Sequence, residues 1–234
     1  MTMTKARLVV FDCDGTLIDS QHMIVAAMAH AFEAHGLTPL PRETVLSIVG
    51  LSLDEALLAL LPTEEPERRR AVTEGYKEAF HHLRGRADLA EPLYPGARET
   101  VEALAASGEL LLGIATGKSQ RGLRAALERH DLTRHFVTLQ TADDAPSKPH
   151  PMMLQRAMSE AGAEAADTVL IGDTSYDIHM ACAAGTHAFG VDWGYHPREI
   201  LMQAGASRVL SEFAQLPPAL EGLWGMSMLR ETLE

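Results

Sequence analysis

Short apolar runs alternate with helical spacings along most of this chain. Leu8-Val-Val-Phe11 is an apolar, β-branched run of strand length, and Leu110–Ala115, Phe136–Leu139, Thr168–Ile171, His187–Val191 and Arg208–Leu210 read as five more. Between the later runs apolar residues recur at i, i+3 and i+4: Leu123, Ala126, Leu127; Leu154, Ala157, Met158, Ala161; Ile178, Ala181, Cys182. Strands buried on both faces and alternating with such helices predict an α/β fold, a doubly wound, Rossmann-like parallel sheet. Ligands of such sheets sit beyond the carboxyl ends of the strands.

The stretch 20–88 breaks the alternation. Ile24, Ala27, Met28, Ala31 and Phe32 form one helical stripe. Leu53, Ala56, Leu57, Leu60 and Leu61 form a second, opened by Ser52 and Glu55 in capping-box spacing. Val72, Tyr76, Ala79, Phe80 and Leu83 form a third, after Pro66. No strand pattern interrupts them. An all-helical insertion over 20–88, in a core made of 1–19 and 89–234, is the expected organisation. Glu91-Pro-Leu-Tyr-Pro-Gly96 punctuates the return to the core. The tail after Pro218 has no clear pattern.

Composition narrows the function. Hydrophobic residues make up 46% of the 234, enough for a core. With 20 Lys+Arg against 32 Asp+Glu the net charge is −12, so the chain as a whole repels phosphate backbones. Nucleic acid is not an expected partner, and any phosphate must be met by a local device. Cys13 and Cys182 are too few for a disulfide framework, and no CxxC pair points to zinc. The N-terminal segment runs into only four apolar residues, Leu8 to Phe11, where a signal peptide needs about 7–15 and a membrane helix about 18 or more. A cytoplasmic protein with no membrane partner is expected, as a monomer or homodimer.

The chemistry-bearing residues gather where strands end. Asp12-Cys13-Asp14-Gly15-Thr16 follows the first run directly; residues two apart on an extended chain point the same way, so Asp12 and Asp14 can converge. Gly172-Asp173-Thr-Ser-Tyr-Asp177 puts two more carboxylates after another run. Helix capping explains one of these four acids, not all. Oxygen ligands clustered in this way suit Mg²⁺, which takes few carboxylates and keeps waters for a phosphate. Thr116 closes the run Leu110–Ala115, and Lys148 lies in the loop Pro146–Pro151. A fixed cation beside clustered carboxylates offsets their repulsion and grips a phosphate dianion. Gly113-Ile-Ala-Thr-Gly117-Lys-Ser119 is not a P-loop, which needs four residues between its glycines where this has three. The scattered histidines follow no metal-ligand spacing, and no Gly-x-Ser-x-Gly is present.

Taken in order, Phe11-Asp12-Cys-Asp14-Gly-Thr16, Thr116, Lys148 and Gly172-Asp173 with Asp177 resemble the four motifs of the haloacid dehalogenase-like hydrolase superfamily. Tyr94-Pro-Gly96, Ser147-Lys-Pro149 and Val191-Asp-Trp-Gly194 are most similar to its phosphoglycolate phosphatase-like branch, although Gly117 stands where that branch commonly carries asparagine. The resemblance implies that the helical insertion is a cap over the site. It implies Asp12 as nucleophile, forming an aspartyl-phosphate, and Asp14 as the acid and then the base. Mg²⁺ would be held by Asp12, the Asp14 carbonyl and Asp173, with Asp177 in support; Thr116, the Gly117 amide and Lys148 would hold the phosphoryl oxygens. The implied activity is Mg²⁺-dependent hydrolysis of a small phosphorylated metabolite. Asp14 argues against dehalogenation, whose enzymes lack that acid. A sugar phosphomutase or pyrophosphatase of the same superfamily is the nearest alternative, and a phospho-acceptor regulatory module the alternative of another class.

Overall fold

The computed structural model describes residues 6–226; the segment Met1 to Lys5 and the end of the tail lie outside the described residues. The chain opens on β1 (Ala6–Phe11) and passes into four helices: α1 (Gln21–Ala34), α2 (Arg42–Leu46), α3 (Leu53–Leu60) and α4 (Pro66–Leu83). It returns through α5 (Ala97–Ala106) to β2 (Leu110–Thr116), then α6 (Gln120–Arg129), β3 (Thr138–Thr141), α7 (Met152–Ala161) and β4 (Ala163–Gly172). The alternation ends with α8 (Ser175–Ala184), β5 (His187–Val191), α9 (Arg198–Gln203), β6 (Arg208–Leu210) and α10 (Leu216–Trp224). The six strands are parallel, in the order β3-β2-β1-β4-β5-β6. Direction along the sheet reverses at β1, so the crevice beyond β1 and β4 is the expected ligand position.

The sheet is buried on both faces. Val9, Phe11, Leu112 and Ile114 point to one core with Val101 of α5, Leu127 of α6 and Leu220 of α10. Leu8, Val10 and Leu170 point to the other, with Leu154 of α7, Ile178 of α8 and Leu201 of α9. That two-sided burial explains why the strands read as continuous apolar runs. α1 to α4 pack their own cluster around Met28, Phe32, Val45, Leu57 and Val72. No helix among the described residues is long and apolar enough to cross a membrane.

Three details differ from the expected elements. β3 begins at Thr138, two residues after the expected Phe136, because pairing with β2 runs from Gly113–Thr138 to Thr116–Thr141. Phe136 instead packs edge-on against Phe11, at 6.4 Å between ring centres. β4 starts at Ala163, five residues before the expected Thr168, and its pairing with β1 shifts register between Ala6 and Leu8. Most of the described tail after Pro218 belongs to helix α10, which begins at Leu216 and buries Leu216, Ala219 and Leu220.

Candidate active site

β1 and β4 are neighbours in register, Phe11 opposite Ile171, so the residues that follow them meet at one end of the sheet. The Asp12 N–H continues the ladder to the Ile171 carbonyl at 2.9 Å. The chain then turns at Gly15, whose φ of +85° suits glycine; a Cβ there would also lie 2.2 Å from Asp173 Oδ2. Thr16 comes back over the site and donates its hydroxyl to Asp173 Oδ1 at 2.8 Å, while the Tyr195 N–H donates to Asp173 Oδ2 at 3.0 Å. Asp177 belongs to the capping box that opens α8, accepting from the Thr174 N–H at 3.0 Å and hydroxyl at 2.7 Å.

The carboxylates that converge are Asp12, Asp173 and Asp177, each buried, with an oxygen of each within 4.8 Å of the others. Asp12 Oδ1 accepts from the Cys13 N–H at 2.6 Å and lies 3.0 Å from Lys148 Nζ, whereas its Oδ2 is buried with no hydrogen-bond partner. Lys148, its side chain wholly buried, also reaches Asp177 Oδ1 at 2.6 Å. Burial raises the Asp12 pKa to about 7; Asp177 adds to the rise, and Lys148 opposes it. Burial, then Asp177 and Asp12, push Asp173 well above the ordinary carboxylate range. Asp12 and Asp177 keep Lys148 protonated against the cost of its burial. One lysine among three buried acids is too little positive charge to keep all three ionised. The orphaned Asp12 oxygen and an all-oxygen donor set together fit a hard divalent cation.

Asp14 stands apart from this cluster. Its Oδ1 accepts from the Ser20 hydroxyl at 2.5 Å, and Lys118 Nζ lies 2.9 and 3.0 Å from its two oxygens. Lys118 also faces Glu91 at 3.8 Å and the Phe80 ring at 5.2 Å from its centre. Its burial is outweighed by Asp14 and Glu91, which hold it protonated. In the sequence Lys118 figured in the rejected P-loop and in the Thr116-Gly117-Lys118 run that resembles the phosphatase branch, without a role of its own, and Ser20 and Glu91 stood only at the borders of the insertion. Their one signal, that Ser20 and Glu91 flank the insertion, says nothing of a shared carboxylate or amine.

Thr116 closes β2, buried, its Oγ1 accepting from the Lys118 N–H at 3.3 Å. Asp12, Asp14, Thr116 and Gly117 all line a cavity whose other wall is the helical insertion. Thus the residues expected at the strand ends are brought to one place. The family signature described as haloacid dehalogenase-like hydrolase matches residues 9–191. The chain belongs to that family. Among relatives of this hydrolase, the Dickeya dadantii protein named "Probable phosphatase IndB" is 34% identical over 94% of this chain and 96% of its own. The phosphoglycolate phosphatase of Agrobacterium fabrum is 30% identical over 91% of each chain. A solved hydrolase structure from Pseudomonas syringae superposes with a TM-score of 0.82 at 27% identity, covering 92% of this chain and 98% of that one. This haloacid dehalogenase-like hydrolase is an enzyme of the phosphoric monoester hydrolase type.

Gly117 marks a close approach of the hydrolase core to the insertion. A Cβ on it would fall 2.4 Å from the Leu51 carbonyl oxygen and 2.7 Å from that of Gly50. Ser52, next in that loop, donates its N–H to Ser147 Oγ at 2.8 Å, beside Lys148. Backbone cannot yield as a flexible side chain does, so Gly117→Ala must push the loop off the site. The expected result is a loss of about tenfold or more in kcat/KM, since a misplacement of about 1 Å can cost 10²-fold, together with a destabilisation of about 1–3 kcal/mol from the overpacked contact. Steady-state kinetics beside a melting curve checks this; full activity would show that the loop need not pack so closely.

Proposed function

We propose that this hydrolase is a Mg²⁺-dependent phosphatase of a small phosphorylated metabolite, working through an aspartyl-phosphate on Asp12. The observation that carries the reading is the Asp12 carboxylate, with Oδ1 fixed by Cys13 and Lys148 and Oδ2 buried without a partner. A buried acceptor so held is costly unless the reaction supplies what it meets. Both relatives named above are called phosphatases, which supports the same chemistry. Two free thiols, Cys13 and Cys182, suit a reducing cytoplasm.

In the first step an Asp12 oxygen attacks phosphorus, the ester P–O bond breaks, and the leaving oxygen takes a proton from Asp14. In the second, Asp14 takes a proton from water, whose oxygen attacks the same phosphorus; the bond to Asp12 breaks and inorganic phosphate leaves. Lys148, Thr116 and the Gly117 amide hold the phosphoryl oxygens. Asp12, Asp173 and the Asp14 carbonyl would hold Mg²⁺, with Asp177 in support; when bound, the cation neutralises charge between nucleophile and phosphate. The unit 20–88 acts as a cap that excludes bulk water.

Repeated turnover of p-nitrophenyl phosphate with Mg²⁺, abolished by excess EDTA and restored by added Mg²⁺, is the expected outcome. Full activity in EDTA would refute the metal, and a single turnover would indicate a phospho-acceptor module instead. Stability carries the same signature. The Asp12 pKa is raised from 3.8 to about 7 by burial and then by Asp177, so between those values the folded chain holds a proton that the unfolded chain has lost. The contribution of Asp12 to metal-free stability therefore falls as pH rises from about 4 to 7. Mg²⁺ binds the deprotonated form, so it should raise Tm more at pH 8 than at pH 5. Melting curves of wild type and Asp12→Asn, with and without EDTA, check this; an equal metal effect at both pH values would contradict the assignment.

A further inference from the structure

The part of the substrate that the proposed chemistry leaves untouched shares one cavity with Asp12, Asp14 and Thr116. The cavity above Asp12 and Asp14 has a volume of about 160 Å³. One side is apolar: Ile24 and Met28 of α1, Ala56 of α3, and Tyr76 and Phe80 of α4. The spacing of Tyr76 and Phe80 promises two core residues, yet both are only partly buried and turn their rings to this space, 5.9 Å apart. An apolar cavity of about 150 Å³ suffices for a benzene-sized molecule. A leaving group as small and polar as glycolate or phosphate would cover little of such a wall.

The charge around the cavity is biased as well. In a chain of net charge −12, Asp12 and Asp14 are the only carboxylates among the described residues that line it. Lys77, which pairs with Glu74, and His81, Arg84, Lys118 and Arg121 line it too. Lys118 is already answered by Asp14 and Glu91. Arg84 is different. Its guanidinium lies over the Phe80 ring at 5.9 Å, and its Nε is buried with no hydrogen-bond partner. A buried N–H without an acceptor is costly, and a guanidinium beside an aromatic face is suited to an anion carried on a ring.

Resting on the phosphatase reading above, we infer that the leaving alcohol is an apolar, ring-sized group bearing its own anionic substituent. The ring packs on Tyr76 and Phe80 and the anion pairs with Arg84. The test compares phenyl phosphates carrying a carboxylate at the ortho, meta or para position with their carboxamide counterparts and with phosphoglycolate, all with Mg²⁺. The amide matches the carboxylate in size but not in charge. At least one carboxylate ester should exceed its amide by about tenfold or more in kcat/KM, as a charge-assisted contact does. It should exceed phosphoglycolate too. Arg84→Gln should bring the acid-to-amide ratio close to one, chiefly through KM, and Arg84→Lys should retain part of it. Phe80→Ala should lower kcat/KM for the aryl esters more than for phosphoglycolate. Equal rates for acid and amide, a ratio that survives Arg84→Gln, or phosphoglycolate as the best substrate would overturn the inference while leaving the phosphatase reading intact. No hydrolysis of any ester would overturn that reading, and the inference with it.

Discussion

Asp12→Asn should lose at least about 10⁴-fold in turnover while folding normally, because an amide is a poor nucleophile and a weaker metal ligand. The substitution is nearly isosteric. The amide oxygen can still accept from Cys13 and lie beside Lys148, which also keeps its 2.6 Å contact with Asp177. It also removes one of three crowded acids, so metal-free stability at pH 8 should be unchanged or higher. Brief reaction of wild type with radioactive substrate, followed by acid quench and proteolysis, should place label on the peptide containing Asp12. Label on another residue, or an active Asp12→Asn enzyme, would refute the assignment.

Asp14→Asn should cost on the order of 10²–10⁴-fold for an alkyl ester, and distinctly less for p-nitrophenyl phosphate in the phosphorylation step. An alkoxide leaves poorly without a proton, whereas p-nitrophenolate needs none. The aryl ester should then stall at the aspartyl-phosphate, since water has lost its base. The variant keeps the backbone carbonyl and an oxygen for Ser20 and Lys118, and Lys118 retains Glu91 at 3.8 Å. Single-turnover kinetics on the two esters separates the steps. Equal losses for both would mean that Asp14 serves only to fix Lys118 or the metal, and the proton-transfer role would be abandoned.

Much of the fold was legible because a parallel sheet buried on both faces leaves a strong mark. The runs at Leu8–Phe11 and His187–Val191 lie in β1 and β5, and the stripes from Ile24, Leu53 and Val72 lie on α1, α3 and α4. The mark failed where pairing rather than burial decides. β3 slides two residues past its apolar run to meet β2, and β4 extends through Glu164 and Asp167, which no hydrophobic pattern could reveal. α10 was missed because Pro217 and Pro218 look like breakers, yet they occupy its first turn, where no N–H partner is lost.

The site divides along a similar line. Which residue types stand after which strand is a local property, so Asp12, Asp14, Thr116, Lys148, Asp173 and Asp177 could all be picked out from the sequence alone. Strand order is not local. Only the placement of β4 beside β1 joins Asp173 and Asp177 to Asp12, and only the folded loop puts Lys148 between Asp12 and Asp177. Lys118 was hidden for the same reason, since its partners Asp14 and Glu91 come from distant parts of the chain. Tyr76 and Phe80 have the spacing of buried core. A one-dimensional pattern records that a face is apolar but not what it faces. The tertiary structure decided that Tyr76 and Phe80, while packed against the insertion's own cluster, also line the cavity that Asp12 and Asp14 open into.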